Sequence, residues 1–153
     1  MKWKHPSVIK IYEALGAVVD ERVEISRNTA RVYSSSRNKY YDVSYDPETN
    51  AIMANDNGSY WKGYLGYPSI AFLMKTKVLS YDPEIAEILK DIAWKDINQK
   101  FNNDFDKTRD FILSSKSEAE RNMIQNFVAK VDGEIHRLNP SLLGKKTLPP
   151  DGY

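Results

Sequence analysis

The chain has 153 residues, with 22 Lys and Arg against 21 Asp and Glu and no cysteine. That length suits one core-bearing domain, and the missing cysteines exclude disulfides, thiolate metal sites and cysteine nucleophiles. Imidazole comes only from His5 and His136, and no apolar run is longer than Ile70–Met74, so a histidine-rich zinc site, a secretory leader and a membrane span all lack material.

An intracellular, cytoplasmic protein is therefore the expectation. In chain order, Val8, Ile11, Tyr12 and Leu15 follow the spacing of one buried helical face. This predicts a helix from about Pro6 to Leu15, stopped by Gly16. Val18, Val19, Val23 and Ile25 then favour extended structure. A β-meander follows: Thr29 to Ser34 alternates, Ser35 to Asn38 reads as a turn, and Tyr40 to Tyr45 alternates again. Asp46-Pro47-Glu48-Thr49-Asn50 is turn chemistry. Ala51 to Ala54 makes a short third strand, closed by the turn-rich Asn55 to Ser59.

After that the pattern is helical. Pro68 opens a helix through Met74 that is apolar nearly all round, which marks it as central and buried. Asp82-Pro83 starts another, with Ile85, Ile88, Leu89 and Ile92 on one face. Trp94, Ile97 and Phe101 continue a helical face, as do Phe105, Thr108, Phe111 and Ile112. In the last helix Ser117 and Glu120 form a capping box. Met123, Ile124, Phe127, Val128, Val131, Ile135 and Leu138 make its apolar stripe, and Asn139-Pro140 ends it. The sum is an α+β fold: a small antiparallel β-meander with N-terminal and core helices, followed by an all-helical C-terminal half. Residues 1–142 read as a single domain, with a sheet-containing half 1–80 and a helical half 81–142. The Gly-, Lys- and Pro-containing segment 143–153 reads as a flexible tail.

Charge is unevenly distributed. Between 22 and 41, Arg22, Arg27, Arg31, Arg37 and Lys39 face only Glu24. Arg31 and Tyr33 share one strand face, while Arg37 and Lys39 lie in or beside the next turn, close to Tyr40 and Tyr41. Nucleic-acid surfaces interleave cations with rings in this way, because guanidinium and ammonium groups meet phosphate while rings stack on bases. The alternative is a solvated sheet face whose tyrosines pack on their neighbours. Tyr60-Trp61-Lys62-Gly63-Tyr64-Leu65-Gly66-Tyr67 adds four more aromatics. Some of these rings must anchor the loop in the core, and any left exposed make a recognition hot spot. The candidate binding residues are thus Arg31, Tyr33, Arg37, Lys39, Tyr60, Trp61, Lys62 and Tyr64. They point to a non-enzymatic accessory module that contacts nucleic acid or a nucleic-acid-processing protein, with no cofactor and no metal.

Catalytic motifs are scarce. There is no nucleophile elbow, phosphate-cradling glycine loop or zincin helix. Asp104 to Asp110 sets oxygens at the spacing of a calcium loop, but Arg109 stands where the turn glycine belongs and Ser115 where the bidentate Glu belongs. Asp42 and Asp46 share a strand face and could converge on a divalent metal, which gives a metal-dependent phosphoester hydrolase as the enzymatic alternative. Their other reading is a solvated face. Neither histidine has a visible partner in the sequence. A third alternative is a structural subunit that oligomerises through its C-terminal helices.

From about Ala30 to Met74 the order of elements resembles a SWIM-type zinc-finger module. Val32-Tyr33-Ser34-Ser35-Ser36 and Lys39-Tyr40-Tyr41-Asp42-Val43 are similar to that family's paired strands. Gly66-Tyr67-Pro68-Ser69-Ile70-Ala71-Phe72-Leu73 is similar to its helix start, and Glu13-Ala14-Leu15 with Asp20-Glu21-Arg22-Val23 resembles members linked to recombination proteins. The family's Cys-x-Cys pair would fall within Ile52 to Asn55, and its Cys-x-His pair on Ser69 and Ala71. None of these is a thiol or an imidazole. The resemblance therefore implies a degenerate form without zinc, held by apolar packing of Ile52, Ile70 and Leu73 and serving as a DNA- or protein-binding accessory.

Overall fold

In a computed structural model that describes residues 1–151, the alternating segments become a five-stranded sheet in the order β1-β2-β3-β4-β5. β1 (Val23–Ser26), β2 (Thr29–Tyr33), β3 (Tyr40–Asp46) and β4 (Ala51–Ala54) run antiparallel in sequence order, and β5 (Ser141–Leu142) joins β4 in parallel. The strand period of two decides the faces. Val23, Ala30, Val32, Tyr41, Val43, Ile52 and Ala54 turn inward and are buried.

Against this inner face packs α2 (Tyr67–Lys75), buried continuously from Pro68 to Met74, as its all-round apolar composition requires. On the other side of α2 lies α1 (Ile9–Val19), and α3 (Pro83–Ile88), α5 (Phe105–Leu113) and α6 (Glu118–Leu138) pack against α1 in turn. The short α4 (Trp94–Lys100) inserts Trp94 into the core. The architecture is α+β, with the sheet in the N-terminal half and helices dominating the rest. The capping box forms as expected: Ser117 Oγ accepts from Glu120 N–H and Glu120 Oε1 accepts from Ser117 N–H, both at 3.1 Å. No helix among the described residues is long and apolar enough to cross a membrane.

Three local features differ from the expectations. First, α1 does not stop at Gly16 but continues to Val19, so Val18 and Val19 are helical rather than extended. The glycine is there for packing: a Cβ on it would lie 2.6 Å from the Trp94 indole nitrogen. Second, the face expected from Ile85 to Ile92 breaks after Ile88, and the chain reverses through Asp91 at φ 60°. Third, the chain beyond α6 returns to the sheet. Asn139 takes a left-handed conformation (φ 44°), and Ser141 and Leu142 then form β5. The two ends of the chain meet here, with Trp3 N–H donating to Pro140 O (3.1 Å) and Leu142 N–H to Met1 O (2.8 Å). Within the segment read as a tail, Leu143 N–H donates to Ile52 O (3.1 Å).

Candidate functional site

The outer face of the sheet holds two of the expected residues. Cross-strand register places Glu24, Arg31 and Asp42 in one row across β1, β2 and β3. Arg31 therefore has a carboxylate residue as neighbour on each side. Its guanidinium lies 4.7 Å from the centre of the Tyr40 ring. Tyr33 packs on Tyr40 with ring centres 5.7 Å apart and donates from its hydroxyl to Glu24 (3.3 Å). Arg37, at φ 62° in the β2–β3 turn, donates to the Asp20 carbonyl (2.7 Å). Lys39 lies 5.7 Å from the Tyr41 ring, and partial burial together with the nearby Lys95 charge lowers its pKa. Arg22 is buried altogether. The cations of 22–41 are thus spread over the sheet's outer face, the adjoining turn and the interior, rather than gathered on one surface.

The aromatic loop is more specific. Residues Gly58–Lys62 form a π-helical turn, closed by Gly63 N–H donating back to Gly58 O (3.1 Å) and Ser59 O (3.2 Å). Asp56 holds its start, accepting from Ser59 Oγ (2.6 Å) and from Ser59 N–H (3.2 Å). Gly63 ends it at φ 76°, a conformation that glycine enters without strain. Tyr64 folds back over Gly58, where a side chain would collide with its ring. Leu65 is buried and Tyr67 packs edge-on against Tyr41, so these residues anchor the loop. Trp61 points outward and is 66% exposed. Tyr60 meets it edge-on, with ring centres 4.6 Å apart.

Three lysines surround this turn. Lys62 belongs to it. Lys4 is tied in by two backbone hydrogen bonds, Lys4 N–H to Gly63 O (3.0 Å) and Leu65 N–H to Lys4 O (3.1 Å). Lys146 Nζ donates to Tyr60 O (3.3 Å). All three side chains are exposed. Lys4 and Lys146 come from opposite ends of the chain, and no local sequence signal links them to Trp61.

Two of the carboxylates that could serve metal chemistry, Asp46 and Asp104, are otherwise engaged. Asp46 accepts from Glu48 N–H (3.0 Å) and Thr49 Oγ1 (2.9 Å), which makes it the first residue of a turn. Asp104 caps α5, accepting from Lys107 N–H (3.3 Å), so the calcium-like spacing is a helix start. Among the described residues no group of three or more His, Cys, Asp or Glu is arranged to hold a metal ion. Ile52, Ile70 and Leu73 lie fully buried in the core, and Ser69 and Ala71 are buried in α2. The fold also gives His5 a partner that the sequence conceals: its Nε2 is 2.6 Å from Asp132 Oδ1, and its ring meets His136 edge-on.

With this geometry in place, comparison by sequence adds one result. A family model described as uncharacterised conserved protein UCP014422 matches residues 3–141. The chain belongs to that family. No significant match was found among curated proteins or among solved structures. The span matched to UCP014422 takes in Lys4 and the whole Trp61 turn, while Lys146 lies beyond it.

The UCP014422 chain also carries a buried polar network that sequence periodicity does not show, because its members sit on otherwise apolar faces. Glu13 of α1 accepts from Asn98 Nδ2 (2.6 Å), and Lys10 Nζ is 2.9 Å from its other oxygen. Lys10 also lies 4.4 Å from the centre of the Phe105 ring. Burial works against the Lys10 ammonium, but the charges of Glu13, Tyr64 and Asp56 outweigh it and raise its pKa. Burial pushes the Asp56 carboxyl up, against the opposing effect of its two bonds from Ser59.

Proposed function

We propose that this chain is a non-enzymatic binding module that engages single-stranded nucleic acid through the Trp61 turn. The observation that carries this reading is a large ring held out in water on a built turn, with three lysines from separate segments beside it. An exposed indole offers a face on which any base can stack, and ammonium groups nearby offer charge to the phosphates on either side. The edge-on Tyr60 limits how Trp61 can turn, so the stacking face is set before a ligand arrives. The sheet face suits phosphate less well, since Arg31 stands between two carboxylate residues.

The test is a fluorescence titration with single-stranded DNA and RNA oligonucleotides at two salt concentrations. Trp61→Ala is expected to weaken binding by about fivefold to about 150-fold, since stacking contributes roughly 1–3 kcal/mol per base. Each of Lys4→Gln and Lys62→Gln is expected to reduce the salt slope by about 0.7. No binding at low ionic strength, or binding indifferent to Trp61→Ala, refutes the nucleic-acid reading and leaves a protein partner for this turn. A second reading, self-association through the C-terminal helices, draws on Phe111 of α5 and Met123 of α6, both more than two-fifths exposed. Light scattering that shows only monomer across concentrations counts against it.

A further inference from the structure

A second site lies inside the molecule. Between α1, the β2–β3 turn, β3, the start of α2 and α4 is a cavity of about 70 Å³. That is room for a few waters or for one small polar group. Arg22, Ser34, Ser35, Tyr41, Tyr67 and Trp94 build its walls, and Glu13 and Lys95 complete the lining.

Two buried donors in the residues around this cavity lack an acceptor. Arg22 is 2% exposed, and its Nη1 donates to the Tyr33 carbonyl (2.7 Å). Its Nε is buried without an acceptor, and the Asp20 carboxylate lies 3.8 Å from it. The Trp94 indole N–H, packed beside Gly16, is likewise buried and unpartnered. The Tyr67 phenol stays protonated, because burial and its neighbour Tyr41 both disfavour its anion. Glu13 supplies a carboxylate to the lining, but its oxygens already face Asn98 and Lys10. Lys10 balances the Glu13 charge, and Asp20 offsets the Arg22 charge from 3.8 Å without giving its Nε a hydrogen bond.

A buried guanidinium Nε and a buried indole N–H without acceptors are costly unless something supplies oxygen atoms to them. Water offers oxygen without charge. A carboxylate offers two oxygens in the plane of a guanidinium fork, together with the negative charge that Arg22 lacks at hydrogen-bonding range. We infer that this cavity is a binding site for a small carboxylate group, received by Arg22 and flanked by the rings of Tyr41, Tyr67 and Trp94. A doubly charged phosphate fits less well, since it is larger and brings a second charge into a buried site that offers one guanidinium. The volume admits a head group and not a nucleotide.

The test uses the full chain with acetate and benzoate as probes, reading the indole N–H resonances of Trp3, Trp61 and Trp94; Trp94→Phe assigns the third. Binding moves the Trp94 resonance saturably at about millimolar concentration, the scale open to so small a ligand. The Trp3 resonance stays in place, because its N–H already donates to Ile52 O (2.8 Å). Arg22→Lys keeps the charge but loses the fork, and weakens binding at least about tenfold. Should that variant fail to fold, Ser35→Ala at the cavity wall replaces it and weakens binding about threefold. A Trp94 resonance that does not saturate, that responds equally to inorganic phosphate, or that titrates unchanged in the folded variant overturns the proposal.

Discussion

Asp56 carries the start of the π-helical turn, and replacing it separates two physical effects. The carboxylate is 5% exposed and accepts two hydrogen bonds from Ser59, one from the hydroxyl and one from the backbone N–H. Asp56→Ala leaves both donors in a buried setting without an acceptor, at about 1–3 kcal/mol each. Some of that loss is offset, because burial disfavours the ionised form that makes these bonds. A net loss of about 2–4 kcal/mol is the expectation. Asp56→Asn retains one acceptor and removes the buried charge, so its net change should be within about 1 kcal/mol. The pH dependence supplies an independent sign. With the folded-state pKa above the ordinary carboxylate range, the folded chain binds more protons there than the unfolded one. The Asp56 contribution to stability is therefore greatest at low pH and declines as pH rises through the folded pKa. Urea unfolding followed by circular dichroism from pH 4 to 8 measures both effects. An Asp56→Ala variant as stable as the parent, or an Asp56→Asn variant with the parent's pH slope, would refute the reasoning.

Other expectations follow from the same contacts. Gly16→Ala drives a methyl group into the Trp94 indole, 2.6 Å from its nitrogen. It should lower stability by about 1–3 kcal/mol and change tryptophan fluorescence, whereas unchanged emission would mean the ring is not seated there. Glu13→Ala strips the buried Lys10 ammonium and the Asn98 amide of their partner. About 3–5 kcal/mol should be lost in thermal unfolding, and Glu13→Gln should recover part of it by restoring the bond from Asn98.

Most of the regular structure was legible because its signals are local. The stripe from Met123 to Leu138 and the Ser117–Glu120 box belong to one helix, and the alternation in β2 and β3 needs only its own residues. Gly16 misleads for the opposite reason: as a local signal it is a stop, and its purpose appears only when Trp94 arrives from α4. A two-residue strand such as β5 has no period to detect. The π-helical turn depends on Asp56, Gly58 and Tyr64 meeting in space. The same limit applies to the candidate site. Trp61 and Lys62 stand out in the sequence, whereas Lys4 and Lys146 join them only through the fold. Arg22, counted in the basic excess of residues 22–41, is a buried group beside a cavity.

The return of the C-terminus to the sheet has a consequence for assembly. β5 covers the far side of β4, and the N-terminal segment covers β5 through the bridge between Lys2 and Ser141. Among the described residues this leaves β1 as the open border of the sheet, four residues long. There the Lys75 ammonium already occupies the Val23 carbonyl (2.7 Å). An open border is where a strand from another chain would add, and a short strand with a lysine on its backbone discourages it. The meander therefore has one edge covered by segments from both halves of the chain and the other blunted by a cation, and growth by strand pairing is disfavoured in both directions.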